Sequence, residues 1–330
     1  MGEIWTDRAK YQSWLDVEVA ACEANCRLGR VPKDAMQTIR EQSAFEPERI
    51  LEIEAEVRHD VIAFLTNVNE HVGDAGRYIH VGMTSSDVLD TGLALQLKAS
   101  VVLLRQELAG LDAAIAKLAA EHKATVMIGR SHAIHGEPIT FGFKLAGWLA
   151  ETRRNHERLA RLERDVAVGQ VSGAMGTYAN TDPEVEKLTC EILGLTPDTA
   201  STQVISRDRH ADYVQILALI GASLDRFSTE IRNLQRTDVL EVELQLWQQQ
   251  PPWHDDAPRI DELFPSASYQ YVLYGMGFAP KYTETNRASY AQMKGRAEQL
   301  LSVNRDKIQQ MSGLLPTNRE LITTMLGASR

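Results

Sequence analysis

The sequence is poor in cysteine, in positive charge and in long apolar runs. Only three cysteines occur in 330 residues: Cys22, Cys26 and Cys190. Cys22 and Cys26 stand four apart in a helical pattern, and no CxxC pair or Cys/His spacing suited to zinc is present. That excludes a disulfide-stapled scaffold and a zinc module, and it points to a reducing, cytoplasmic setting. Basic residues number 35 against 45 acidic ones, a net charge of -10. Phosphate backbones need clustered Lys and Arg, so a general nucleic-acid binder is disfavoured, while a local basic pocket for a phosphate-bearing metabolite stays open. No apolar run approaches ~18 residues, so no membrane span is expected. Glu3 and Asp7, with no apolar stretch near them, argue against a signal peptide.

What is there is helical periodicity. Hydrophobic content of 44% and charged content of 24% suit a soluble globular chain. Residues 6–29 read as one helix stopped by Gly29, and Pro32 opens a short second one to about Glu41. Glu46-Pro47-Glu48 starts a third, running to about Val72 with Arg58-His59-Asp60-Val61 inside it or at a bend. A long pattern from Ser86-Asp87 runs to about Lys123, and another from Phe141 to about Ala167. Gly169 to Asn180 reads as a loop, and Asp182-Pro183-Glu184 starts a short helix that Gly194 ends. Residues 207–249 hold no proline and one glycine, Gly221, with apolar positions such as Val214, Leu217, Leu224 and Phe227 recurring at three and four. At ~1.5 Å per residue that predicts a helix roughly 60 Å long, stable only when packed along its length. The expectation is a mainly α fold, an elongated long-helix bundle of a kind that can also bundle between subunits. Its parts are an N-terminal helical domain over 1–85, a central bundle domain over 86–249, and a separate helical tail over 250–330. In the tail, 287–311 and 317–326 read as two further helices.

Four polar clusters interrupt this pattern. Gly129-Arg130-Ser131-His132-Ala133-Ile134-His135-Gly136-Glu137-Pro138 places two histidines on a short loop between two helix ends. Such a histidine can exchange a proton near neutral pH, or it can simply cap a helix. Arg58-His59-Asp60 sets a cation, an imidazole and a carboxylate side by side. His80-Val81-Gly82-Met83-Thr84-Ser85-Ser86-Asp87 ends at a helix start, which either binds an anion through free N–H groups or is an ordinary N-cap. Ser201-Thr202-Gln203-Val204-Ile205-Ser206-Arg207-Asp208-Arg209 is polar and basic before the longest helix, with capping as its plain role.

In this order, joined by long helices, the clusters over roughly 1–248 resemble the aspartase/fumarase superfamily, and within it the adenylosuccinate lyase branch. The matching strings are Arg58-His59-Asp60-Val61, Thr84-Ser85-Ser86-Asp87, Gly129 through Pro138, and Gln203 through Arg209. The resemblance implies elimination of fumarate from succinyl-amino purine nucleotides: adenylosuccinate gives AMP, and the ribotide precursor SAICAR gives AICAR. It implies His132 as the general acid. His59 and His80 would orient the substrate or bind its phosphate, with Arg58 and Asp60 beside them. Thr84 and Ser85 would hold a succinyl carboxylate, and Gln203 would hydrogen-bond the substrate. It implies no metal or redox cofactor, and a homotetramer whose active sites draw on three subunits.

Three departures accompany the resemblance. Family members carry an Arg-Tyr segment ahead of the stretch matching Gly2-Glu3-Ile4-Trp5, and here it is absent. They follow the last long helix with a Gly-Ser-Ser-x-Met-Pro-x-Lys-x-Asn-Pro loop whose serine is the base. Here Trp247 leads instead to Gln248-Gln249-Gln250-Pro251-Pro252. Residues 253–330 resemble the C-terminal end of flavin-dependent tryptophan halogenases, without the Gly-x-Gly-x-x-Gly or catalytic residues of that chemistry. The expectation is therefore a join of two partial sequences with impaired turnover. The alternatives are a non-catalytic helical oligomerisation or interaction protein, or another superfamily lyase of argininosuccinate or cycloisomerase type.

Overall fold

The computed structural model describes residues 1–236 together with 239, 241 and 242. The expected boundary near 250 and the two tail helices lie outside the described residues. The chain divides into two units. The first is Met1–Ala114 with Leu149–Gly221; the second is Ile115–Trp148 with the chain from Ala222 on.

The first unit opens with a 3-10 turn, Gly2–Trp5, and helix α1, Asp7–Arg27. Thr6 caps α1 by accepting the Ala9 N–H at 3.2 Å, and Gly29 leaves it at φ 73°. Helix α2, Lys33–Gln42, follows Pro32. The single helix expected over 46–72 is two, α3 (Pro47–Val57) and α4 (Asp60–Val72). Arg58 takes a left-handed conformation, φ 55° and ψ 38°, and His59 is extended, so the ladder stops and restarts there. The core of these four helices is aromatic. Trp14 meets Phe64 edge-on at 5.5 Å, Tyr11 stacks on Phe64 at 6.1 Å, and Phe45 closes the group.

Helix α5 spans Ser85–Glu121, about 55 Å at 1.5 Å per residue. Helix α6 is Phe141–Val166 and α8 is Asp208–Leu234. Within the first unit their apolar faces meet as the periodicity requires: Leu97, Val101 and Leu108 pack with Leu159, Leu162, Tyr213 and Ile216. Ser100 and Tyr213 share a buried hydroxyl pair at 2.8 Å, which satisfies both polar groups inside that layer. Helix α7, Pro183–Leu193, is capped by Asp182 and released by Gly194 at φ 64°. It packs on α1 through Ala24, Val171 and Val185. Two short strands, β3 (Val168–Gly169) and β4 (Thr196–Pro197), pair in parallel. Periodicity could not show them, since each is only two residues long.

The second unit corrects two expectations. The histidine segment is an antiparallel hairpin, β1 (Val126–Ser131) with β2 (Ile134–Thr140), rather than a loop between helix ends. Gly129 and Pro138 lie inside it. A Cβ on Gly129 would come within 2.6 Å of the Glu137 carbonyl, and the register shifts between Ile128 and Arg130. That close approach is why the glycine marks a strand irregularity and not an element's end. The helix expected over 207–249 stops at Leu234, whose carbonyl accepts the N–H of Glu241 at 3.0 Å, so the chain turns there. Trp148 stacks on Phe227 at 4.6 Å within this unit. No helix among the described residues is long and apolar enough to cross a membrane.

Phe64 is fully buried and touches three other rings. Phe64→Ala is expected to cost about 3–5 kcal/mol of stability, read as a lowered midpoint in urea unfolding.

Candidate active site

The first turns of α5 carry the geometry that assembles the candidate site. Asp87, Asp90 and Thr91 lie at helical spacing on one face, and all three are buried. Asp87 reaches back to the Thr84 N–H at 2.8 Å, as a capping-box acid does. The same carboxylate accepts the N–H groups of Ser172 and Gly173, each at 3.1 Å. Asp90 accepts the Ile205 N–H at 2.8 Å and both Arg207 amino groups at 2.9 and 3.0 Å, a bidentate pair. The Thr91 hydroxyl donates to the Gln170 carbonyl at 2.9 Å and accepts the Gln170 N–H at 3.0 Å.

These bonds draw three loops to one helix start. Ser172 and Ser201 hydroxyls meet at 2.8 Å, and the Gln170 side-chain amide donates to the Gln203 carbonyl at 2.7 Å. Gly82, at φ 76°, brings the 80–84 loop so near Asn180 that a Cβ would lie 2.2 Å from its carbonyl oxygen. Glu186 on α7 holds the middle loop from its other side, accepting the Val171 N–H and the Tyr178 hydroxyl, each at 2.8 Å. On α1, the buried Glu18 accepts the His80 backbone N–H at 3.0 Å and pairs with its Nδ1 at 2.6 Å.

The electrostatics follow from this burial. Burial pushes the Asp87 carboxyl up, against its three backbone hydrogen bonds and the nearby His80 charge. Burial likewise raises Glu186, while the Val171 N–H and Tyr178 hydroxyl pull the other way. Tyr178 is pushed up to about 12, by burial first and then by the Glu186 hydrogen bond and charge. For His80, burial acts to lower the imidazole. The Glu18 hydrogen bond and charge, with the charge of Asp87, outweigh it and raise the pKa. Several displaced groups around one helix start make it a functional-site candidate.

The structure thus joins His80, Thr84, Ser85 and the Gln203 segment within one unit. Thr84, Ser85 and His80 are half-buried, and the Gln203 residue is exposed. Arg58, His59 and Asp60 sit at the α3–α4 junction with local bonds: His59 Nδ1 caps the Ile62 N–H at 3.4 Å, and Asp60 accepts the Val61 N–H at 2.7 Å. Among the described residues no hydrogen bond ties these three to His80, Thr84 or Ser85. His132 belongs to the other unit, at the exposed hairpin tip, with His132 and Ala133 at φ 55° and 60°. Two positive φ values in a two-residue turn are the primed geometry that matches strand twist. Sequence reading missed Glu18, Asp90, Thr91 and Glu186. Their only signal was an acid or hydroxyl on an otherwise apolar helix face.

The profile of a protein family described as Lyase matches residues 1–251. The chain belongs to that family. It is 68% identical over 243 residues to the adenylosuccinate lyase of Synechocystis sp., covering 74% of this chain and 56% of that protein. With the adenylosuccinate lyase of Bacillus subtilis it shares 49% identity at the same coverage, 74% and 56%. Among solved structures it is similar to the fumarate lyase from Mesorhizobium sp. BNC1, with a TM-score of 0.68, 32% identity, and 72% of this chain against 58% of that one. It is also similar to the 3-carboxy-cis,cis-muconate lactonizing enzyme from Pseudomonas putida, at a TM-score of 0.68, 31% identity and coverage of 72% and 56%. The chain therefore spans just over half the length of the relatives it matches. The mainly helical fold expected from periodicity is the fold of these lyases.

Because the folded pKa of Glu186 lies above its ordinary 4.5, its stabilising contribution is fully present below pH 4.5 and is lost as pH rises through the folded value. Glu186→Gln cannot lose a proton there. The melting temperature of the wild type relative to this variant is expected to fall as pH is raised from 4.5 to 8. At the hairpin tip, a β-carbon at φ 60° is unfavourable, so Ala133→Gly is expected to stabilise by about 1 kcal/mol, read by urea unfolding.

Proposed function

We propose that this chain carries much of an adenylosuccinate lyase active site, in which fumarate is eliminated from a succinyl-amino purine nucleotide, either adenylosuccinate or its ribotide precursor. The observation that carries the reading is the bond path Thr84–Asp87–Ser172–Ser201 at the start of α5, in a chain so similar to adenylosuccinate lyases. In this reading Thr84 and Ser85 hold a succinyl carboxylate against the first N–H groups and positive dipole end of α5. His80 and His59 face the nucleotide phosphate, with Arg58 and Asp60 beside them, and Gln203 hydrogen-bonds the substrate. A base removes the proton beside a carboxylate, and the electron pair left on carbon is delocalised into that carboxylate. The C–N bond then breaks, the pair forms the double bond of fumarate, and the nitrogen takes a proton from His132.

This chemistry needs no metal or redox group. A composite site assembled between copies, in a cytoplasmic homotetramer, accounts for placing His132 on an exposed hairpin tip. The base is the part this chain does not match, since Gln248-Gln249-Gln250-Pro251-Pro252 stands where the serine-bearing loop would follow. Turnover by this chain alone is accordingly low. The similarity to a muconate lactonizing enzyme favours a cycloisomerase as the second reading, and a substrate panel separates the two.

Fumarate release, followed by ultraviolet absorbance, is expected to be near background for the purified chain. It should appear on mixing with an adenylosuccinate lyase inactivated at its own acid histidine, which can still supply the serine loop. His132→Gln in this chain should lower that rescued rate by about 10²-fold or more. A mixture that stays inactive counts against the reading, and full turnover by the chain alone counts against its dependence on the loop.

A further inference from the structure

Glu18 is one of the buried acids in this unit that no cluster in the sequence pointed to and that the chemistry above does not use. It is 1% exposed in the middle of α1, where an unpaired carboxylate would be costly. Both of its oxygens are committed to one residue. Oε2 accepts the His80 backbone N–H at 3.0 Å, and Oε1 lies 2.6 Å from His80 Nδ1. An ionised carboxylate only accepts, and a backbone N–H only donates. With Glu18 as the carboxylate, the ring nitrogen facing Oε1 carries the proton. His80 itself is held at φ 65°, and its side chain is 21% exposed, so the ring is not sealed in.

We propose that Glu18 is the positioning residue for His80. It locks the imidazole with Nδ1 protonated and leaves Nε2 as the nitrogen that meets an anionic group of the substrate. The identity of that anion rests on the lyase reading; the lock itself does not. Among the hydrogen bonds of the described residues, Nε2 takes none. The titratable groups that act on the ring are Glu18 from α1 and Asp87 from α5. With two carboxylates acting on it, the ring is also kept ready to hold a second proton, on Nε2, where it would donate to a phosphate or carboxylate oxygen.

The test separates this role from a merely structural tie between α1 and the 79–84 segment. Glu18→Gln is nearly isosteric but offers one acceptor and one donor. The backbone N–H has no alternative, so it keeps the amide oxygen. The amide NH₂ then faces Nδ1 and forces the proton onto Nε2. Ring ¹⁵N shifts of the full chain, labelled at histidine and with His80 assigned by its loss in His80→Gln, should show Nδ1–H in the wild type at alkaline pH. They should show Nε2–H in Glu18→Gln, with the ring pKa moved down. Inorganic phosphate should perturb the His80 signals of the wild type and bind about tenfold more weakly to Glu18→Gln. An Nε2–H ring in the wild type overturns the proposal even when the variant does not fold, as does an unchanged tautomer in a folded variant. A switched tautomer with unchanged phosphate binding upholds the lock and sinks the anion assignment.

Discussion

Main-chain N–H groups with nowhere else to go are what the site depends on. Among the described residues, the loops at 80–84, 170–180 and 201–207 share no backbone–backbone hydrogen bond with one another. An unmet buried donor costs about 1–3 kcal/mol, so each needs an acceptor. The helices supply them as side chains: Glu18 from α1, Asp87, Asp90 and Thr91 from α5, and Glu186 from α7. Every one of these is buried, and each meets at least one backbone N–H of a neighbouring loop. Remove the acceptors and the loops lose their path, and with it the alignment of His80, Thr84 and Ser85.

The same arrangement sets the local electrostatics. Asp87 and Glu186, buried where they hold loops, are pushed toward their protonated forms, and backbone N–H bonds, the His80 charge and the Tyr178 hydroxyl oppose this. An imidazole placed among them is drawn the opposite way, toward its charged form, and His80 follows. Fold stabilisation and the preparation of an ionisable group are here two results of one placement. An anionic substrate approaching the α5 start meets a helix dipole and a raised imidazole in the same unit.

Much of the scaffold was legible because it rests on period and punctuation. Gly29, Pro32, Pro47, Asp182 and Gly194 mark helix ends where capping chemistry places them, and the apolar stripes of α5, α6 and α8 face one another as spacing required. The errors share a different origin. The hairpin at 126–140 alternates poorly because its outer half is exposed on both faces, so period two never shows. The stop at Leu234 follows from a carbonyl claimed by a residue seven positions on, which no local pattern announces. Glu18 and Asp90 were invisible for a third reason: an acid inside a helix reads as a solvated face until its partner, distant in sequence, is known. Of the residues proposed for the site, His80, Thr84, Ser85 and Gln203 lie in one unit. The triplet at 58–60 shares that unit through other contacts, and His132 lies in the other unit.

Holding loops by their main chain has an evolutionary consequence. Asp87 grips Ser172 and Gly173, and Asp90 grips Ile205, without reading which residues those are. Ile205 is buried, the Ser172 hydroxyl meets Ser201 and Gly173 sits at φ 79°, so the side chains released from the task of folding are the exposed ones of these segments, such as Thr202 and Gln203. They can be exchanged to suit a different leaving group or ring system while the peptide track beneath them keeps its course. A scaffold of this kind varies the threads and keeps the pegs.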